Sequence, residues 1–192
     1  MTSNDRESKS QIHILAISGS LRQVSSNTAL LQAAIALSPT NVEMNLYTGL
    51  GDLPHFNPDL EPMEPEAVTN LRSQLKWSDG LIISTPEYAH GIPGVLKNAL
   101  DWLVSGEEFV GKPIALFNAS PRAAYAQASL TEIVTTMAGQ IVPQASITVP
   151  LLGKNLDAAA IIADLEIASK LQAAIEEFAI AIEQFQRKTI EL

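Results

Sequence analysis

The chain has 192 residues, 46% of them hydrophobic, which is enough to bury one sizeable core and short for two. A formal charge of −9 sets it against the polyanionic backbone of nucleic acid, whose binding is driven by basic surface and counterion release. With no cysteine and three scattered histidines, disulfides, thiolate nucleophiles and sulfur-built zinc sites are excluded, and a histidine-built metal site is not expected.

Residues 1–10 are polar and mixed in charge, unlike a secretory signal, and no apolar run reaches the roughly eighteen residues that span a bilayer. They are expected as a disordered tail ahead of a single domain over residues 11–192, in a cytoplasmic protein. Ile12, Ile14, Leu15, Ala16 and Ile17 make a β-rich run, followed by a polar stretch at 18–27. A helical pattern over 28–37 then places Leu30, Leu31, Ala34, Ile35 and Leu37 at helical spacing before Ser38-Pro39. Residues 42–47 alternate as a strand with one polar face, which suits a sheet edge. Residues 48–65 form a long loop rich in Gly, Pro and Asp, and such a loop in a compact domain is usually functional or a contact surface. His55 and Phe56 are its candidates for covering a ligand; the simpler view of His55 is a solvated loop residue.

A second helix is predicted over 64–77 with Val68, Leu71, Leu75 and Trp77 inward. Asp79-Gly80 turns the chain into Leu81-Ile82-Ile83-Ser84-Thr85, apolar without alternation, as befits a central parallel strand covered on both faces. After a loop at 86–92, Pro93 opens a helix with Leu96, Ala99, Leu100 and Leu103 on one face. Lys97, Asp101 and Trp102 are read as facing solvent or an interface. Gly111-Lys112-Pro113 leads into a strand over 114–118, a helix over 124–138 follows, and residues 141–149 supply the last strand, broken by Pro143. Asn155-Leu156-Asp157 caps a long Ala-rich helix in which Ile161, Leu165, Ala168, Leu171, Ile175, Phe178, Ile182 and Phe185 recur every three or four residues. The alternation of five strands with about five helices reads as a three-layer α/β sandwich around a parallel sheet of order 2-1-3-4-5.

The stretch at 18–27 joins a strand to a helix start. An open α/β sheet makes a phosphate site in this way, because freed backbone N–H groups and the helix N-terminus both face the loop. Ser20, Ser25, Ser26 and Asn27 can donate to or accept from phosphate oxygens, and Arg22 adds a planar fork. The set fits a terminal monophosphate better than a pyrophosphate: of the dinucleotide fingerprint only Gly19 is present, and the Gly-Lys-Ser/Thr of a triphosphate loop is absent. The competing reading is that Ser25, Ser26 and Asn27 merely cap the helix. The loop at 86–92 leaves the carboxyl end of a central strand, where ligands of doubly wound sheets sit. It offers Tyr88 as a flat amphipathic ring, with backbone amides freed by Pro86 and Gly91. Together the two loops suit a phosphorylated, planar, heteroaromatic ligand. Glu87 is read as holding its loop by accepting backbone N–H groups rather than as a general base, and His90 as a surface residue. In a third loop, Ser120 is placed to reach a ligand's polar edge. Arg122 there either attracts a phosphate on a second substrate or is an exposed solubilising charge.

Gly19-Ser20-Leu21-Arg22 with Ser25 and Asn27, then Pro86-Glu87-Tyr88, then Gly91-Ile92-Pro93-Gly94 and on to Asp101-Trp102, closely resembles the NAD(P)H-dependent FMN reductase family across about residues 12–149. The resemblance implies a flavodoxin-like fold, FMN as cofactor and NADPH or NADH as hydride donor. It implies two electrons passed on to a quinone, free flavin or similar acceptor, with no catalytic side chain and no metal. The family's phosphate loop falls on Ser20, Arg22, Ser25, Ser26 and Asn27, and its isoalloxazine loop on Pro86, Glu87, Tyr88, Ala89, His90 and Gly91; Ser120 matches a third flavin-side loop. Two departures stand out: many relatives have Asn directly after the Tyr, where this chain has Ala89, and a glycine-rich third loop, where this chain has Pro121 and Arg122. The resemblance further implies a homodimer or homotetramer in which the loop equivalent to 53–59 approaches the neighbouring subunit's flavin, with no nucleic acid or membrane partner. Two rival readings share these residues: a flavodoxin-like electron carrier without a nicotinamide site, and a non-enzymatic FMN-binding module.

Overall fold

The computed structural model describes residues 11–151, 153–154 and 157–190. The expected tail at 1–10 lies outside the described residues, as do Asn155 and Leu156 of the expected cap. One parallel sheet is built from β1 (Ile12–Ser18), β2 (Val42–Tyr47), β3 (Gly80–Ser84), β4 (Pro113–Asn118), β5 (Gln140–Ile141) and β6 (Ile147–Thr148). Its order is β2-β1-β3-β4-β5, with β6 also paired to β4. The helices are α1 (Ser26–Ala36), α2 (Glu66–Trp77), α3 (Gly94–Leu103), α4 (Ala124–Thr136), α5 (Ala158–Ala163) and α6 (Leu165–Ile190).

Strand periodicity divides the core into two layers. Ile12, Ile14 and Ala16 of β1 pack with Ile82 and Phe117 under α1 and α6, while Leu15 and Ile17 pack with Leu81, Ile83 and Leu116 under α2, α3 and α4. Every residue of β3 and β4 is buried, as expected for strands covered on both faces. β2 is the edge, in register Ile12↔Val42 through Ile17↔Tyr47, and Asn45 on it is exposed.

The last strand departs from a single broken run. β5 and β6 each pair with β4, and Pro143–Ala145 forms a 3-10 turn between them. That turn removes a ladder partner from Leu116. The Ser146 hydroxyl replaces it, accepting from the Leu116 N–H at 3.1 Å and donating to the Val142 carbonyl at 2.9 Å. The long C-terminal helix is likewise two helices. Asp157 caps α5 by accepting from the Ala160 N–H at 2.8 Å. Asp164 then leaves helical geometry (φ −80°, ψ 102°) and its carboxylate accepts from the Ile167 N–H, so one acidic residue stops α5 and starts α6.

The two tryptophans exchange the places that helical spacing assigns them. Trp77 is 56% exposed and lies against His13, ring centroids 3.9 Å apart. Trp102 is fully buried, with its Nε1–H donating to the Pro54 carbonyl at 2.8 Å. Asn98 on the same face donates to that carbonyl at 2.9 Å and accepts from the Phe56 N–H at 2.8 Å. Thus α3 pins the strap at residues 53–56, and leaves His55 exposed on it. Among the described residues no helix is long and apolar enough to cross a membrane, and no cluster of three or more potential metal ligands occurs.

Lys112 closes the C-terminal end of α2, its ammonium donating to the Leu75 and Ser78 carbonyls at 2.8 and 2.6 Å. Burial holds its pKa below the usual lysine value, an effect partly offset by Asp79 and Glu108. Lys112→Met keeps the aliphatic stem and strips both charge-assisted bonds. It is expected to lower stability by about 2 kcal/mol, read from the midpoint of urea denaturation.

Candidate functional site

Three loops leave the carboxyl ends of β1, β3 and β4 and face one another. The first is held down at its start. The Gly19 N–H donates to the Ser84 carbonyl at 2.8 Å, and a Cβ on Gly19 would stand 2.4 Å from Thr85 Oγ1, so only glycine fits this approach. Further along, the Ser20 hydroxyl accepts from the Arg22 N–H at 3.3 Å. Ser25 is the N-cap of α1, with its hydroxyl accepting from the Thr28 N–H at 3.3 Å. The capping role of Ser25 is therefore real, and it leaves the first N–H groups of the helix, on Ser26 and Asn27, turned toward the loop. Asn27 is buried, its carbonyl oxygen accepting from the Ser84 hydroxyl at 2.9 Å, which ties α1 to β3.

The second loop is a two-residue hairpin. Tyr88 and Gly91 exchange both backbone hydrogen bonds, at 3.0 and 3.1 Å. The two residues between them, Ala89 (φ 50°) and His90 (φ 59°), lie in left-handed backbone. A turn with positive φ at both central positions favours Asn-Gly, because other side chains crowd the following carbonyl. Asn in the position of Ala89 therefore has a backbone reason, apart from any polar contact beside a ring. Glu87 accepts from the Ala126 N–H at 3.0 Å, placing a carboxylate on the first turn of α4, where the helix dipole favours it. The expectation that Glu87 holds backbone rather than acting as a base agrees with this geometry, although the N–H belongs to the third loop's helix. His90 adds a second tie, stacking on Tyr125 with centroids 4.2 Å apart and planes 19° from parallel.

The third loop repeats the turn of the first: the Ser120 hydroxyl accepts from the Arg122 N–H at 3.2 Å, and the Ser120 N–H donates to Asn118 at 2.9 Å.

The three loops enclose a cavity of about 350 Å³, within the roughly 300–1,000 Å³ of small-molecule sites. Of the residues singled out from sequence, Ser20, Arg22, Ser25, Ser26, Asn27, Pro86, Glu87, Tyr88 and Ser120 line it. Ala89, His90 and Gly91 do not; they form the hairpin turn beside the wall. Thr85, Ala119, Arg122 and Ala123 complete the lining, and the sequence reading had not set Thr85 or the two alanines apart. Thr85 follows directly on a central strand, and the alanines are small where backbone closes on the space; neither signal is strong along the chain.

The lining is graded. Hydroxyls, the Arg22 guanidinium and the α1 N-terminus supply donors for an anion, while Pro86, Tyr88, Ala119 and Ala123 supply flat or small apolar surface. Arg22 and Arg122 are exposed, and neither has an acidic partner among the described residues. This donor set fits a phosphate ester with a planar head.

The sequence profile of the NADPH-dependent FMN reductase family matches residues 12–151. The chain is 43% identical over 112 residues to an NAD(P)H-dependent FMN reductase of Pseudomonas aeruginosa, a match covering 57% of this chain and 60% of that protein. It is 35% identical over 150 residues to the NADH:(hydroxy)cinnamate reductase subunit CrdA of Vibrio ruber, covering 75% of this chain and 72% of that protein. Among solved structures, the flavoenzyme NAD(P)H:(acceptor) oxidoreductase FerB of Paracoccus denitrificans superposes with a TM-score of 0.76 at 31% identity, covering 91% of this chain and 98% of FerB.

Two expectations follow from the loop geometry. Gly19→Ala forces the first loop off Thr85, and a loss of about 1–3 kcal/mol of stability is expected in chemical denaturation. Ala89→Gly relieves left-handed strain while keeping the His90 stack on Tyr125 and is expected to raise stability by about 1 kcal/mol, seen as an upward shift of the thermal midpoint.

Proposed function

The chain belongs to the NADPH-dependent FMN reductase family, and from that premise we propose that it is an NAD(P)H-dependent, FMN-containing reductase that passes two electrons to a quinone, a free flavin or a similar acceptor. The observation that carries the reading is a single cavity with an anion-binding end at Arg22 and the start of α1 and a flat end at Pro86 and Tyr88. When bound, FMN supplies a two-electron centre that accepts a hydride from reduced nicotinamide and returns the electrons to a second molecule.

Placement is the protein's part. Ser20, Ser25, Ser26, Asn27 and Arg22 hold the phosphate, where the helix dipole and charge-assisted hydrogen bonds both favour a dianion. Pro86, Glu87 and Tyr88, stiffened from behind by Ala89, His90 and Gly91, form the wall for the ring system, with Ser120 at its polar edge. Backbone N–H groups of the second and third loops that are not already bonded within them would meet negative charge on the bound ring. No side chain acts as acid or base, in keeping with the engagement of Glu87 on the Ala126 N–H. Residues 11–192 act as one domain of a cytoplasmic homodimer or homotetramer, and the strap that α3 pins offers His55 and Phe56 to the neighbouring subunit's site.

Protein mixed with FMN and desalted is expected to be yellow and to bleach when NADPH is added without oxygen. A protein that takes up no FMN, or one that stays yellow with both NADPH and NADH, overturns the reading. Arg22→Gln is expected to weaken FMN binding at least about tenfold with little change in the unfolding midpoint, measured by quenching of flavin fluorescence.

A further inference from the structure

Resting on the reading of the cavity as a flavin site, we propose that Arg122 is a charge-selecting residue for the second substrate: it seats an anionic group, phosphate, sulfonate or carboxylate, on the planar molecule that meets the bound flavin. The chain carries a net −9 with twelve lysines and arginines, and several of the described cations are occupied. Arg72 pairs with Glu64 and Glu108, Lys97 with Asp101 and Arg187 with Glu183. Lys112 and Lys170 donate to backbone carbonyls. Arg22 and Arg122 have no such partner among the described residues, and both line one cavity. In an acidic protein, two unpaired guanidiniums on one concave wall concentrate positive potential there.

FMN brings one phosphate to this space, and the start of α1 with Arg22 meets it. Arg122 comes from the other side. Its loop follows β4 and that of Arg22 follows β1, with β3 between them, so the strand ends stand about 10 Å apart at two strand spacings. The same short turn presents each arginine, a serine hydroxyl two residues earlier accepting its N–H at 3.3 Å in the first loop and 3.2 Å in the third. The fork is thus held on a fixed backbone. Beside it stand exposed aromatic surfaces: Tyr88, 51% exposed, on the cavity wall and Tyr125, 59% exposed, stacked on His90. A planar ring lies against such surfaces, and a charged substituent on that ring finds the guanidinium. Glu87, a carboxylate among the lining residues, is engaged by the Ala126 N–H at 3.0 Å and forms no ion pair with Arg122.

The anion has two possible carriers, the phosphorylated hydride donor and a charged acceptor, and separate half-reactions of the FMN-loaded protein tell them apart. In the donor arm, flavin reduction by NADPH and by NADH is timed by stopped flow. In the acceptor arm, reoxidation by 1,4-naphthoquinone is compared with reoxidation by its 2-sulfonate. Intrinsic reactivity cancels when the NADPH-to-NADH ratio and the sulfonate-to-naphthoquinone ratio are each compared between variants. Arg122→Gln is expected to lower that ratio about tenfold in at least one arm, and Arg122→Lys to keep most of it. The wild-type ratio should fall with rising salt, while that of Arg122→Gln should not. The arm that responds names the carrier. Unchanged ratios in both arms overturn the inference, as does a loss of FMN affinity in Arg122→Gln equal to that in Arg22→Gln, which would put both guanidiniums on one phosphate. Failure of the wild-type protein to take up FMN is a separate result: it removes the flavin reading itself, and the inference with it.

Discussion

The site depends on how closely the first loop lies on the end of β3. A hydrogen bond from Gly19 to the Ser84 carbonyl and the absence of any room for a side chain at Gly19 bring two loops from neighbouring strands together. The buried bond between Ser84 and Asn27 repeats the tie in the first turn of α1. A donor-rich helix start is thereby set next to the loop that carries Tyr88, and a phosphate and a planar head can be met at once. Each half alone would be an ordinary helix cap or an ordinary exposed tyrosine.

A second set of ties joins the β3 loop to the β4 loop. Glu87 bonds to the first turn of α4, and His90 stacks on Tyr125. With these anchors the chain holds Ala89 and His90 in left-handed backbone, a conformation that costs about 1–2 kcal/mol per residue for most side chains. Strain of this kind persists where surrounding contacts over-determine the loop, and it collects at ligand sites. Here the turn residues stiffen the wall without themselves lining the cavity, which separates the residues that face the ligand from those that position them.

Away from the site, the fold keeps its polar groups satisfied by local substitution. Ser146 replaces the ladder partner that the Pro143 turn takes from Leu116, Asp164 ends one helix and caps the next, and Lys112 covers the last carbonyls of α2. Tyr47 is an exception: its hydroxyl is buried with no hydrogen-bond partner among the described residues, and burial, then the charge of Asp52, raise its pKa.

Periodicity and turn chemistry were enough to read the two-faced burial of β3 and β4, the edge position of β2, and the two loops where donors and a flat ring occur. These are local properties: side-chain alternation is a consequence of backbone geometry, and serine or asparagine before a helix answers the orphan N–H groups of that helix. Distant segments decided the rest. Trp102 is buried because Pro54, 48 residues away, supplies a carbonyl for its indole, whereas Trp77 lies against His13 and stays exposed; helical spacing alone assigns a face but not what covers it. The left-handed turn at Ala89 and His90 was equally invisible, since neither residue prefers that backbone. The placement of Arg122 on the same cavity as Arg22 depends on β3 lying between their strands, a fact of sheet order that the two residues, a hundred positions apart, do not carry in themselves.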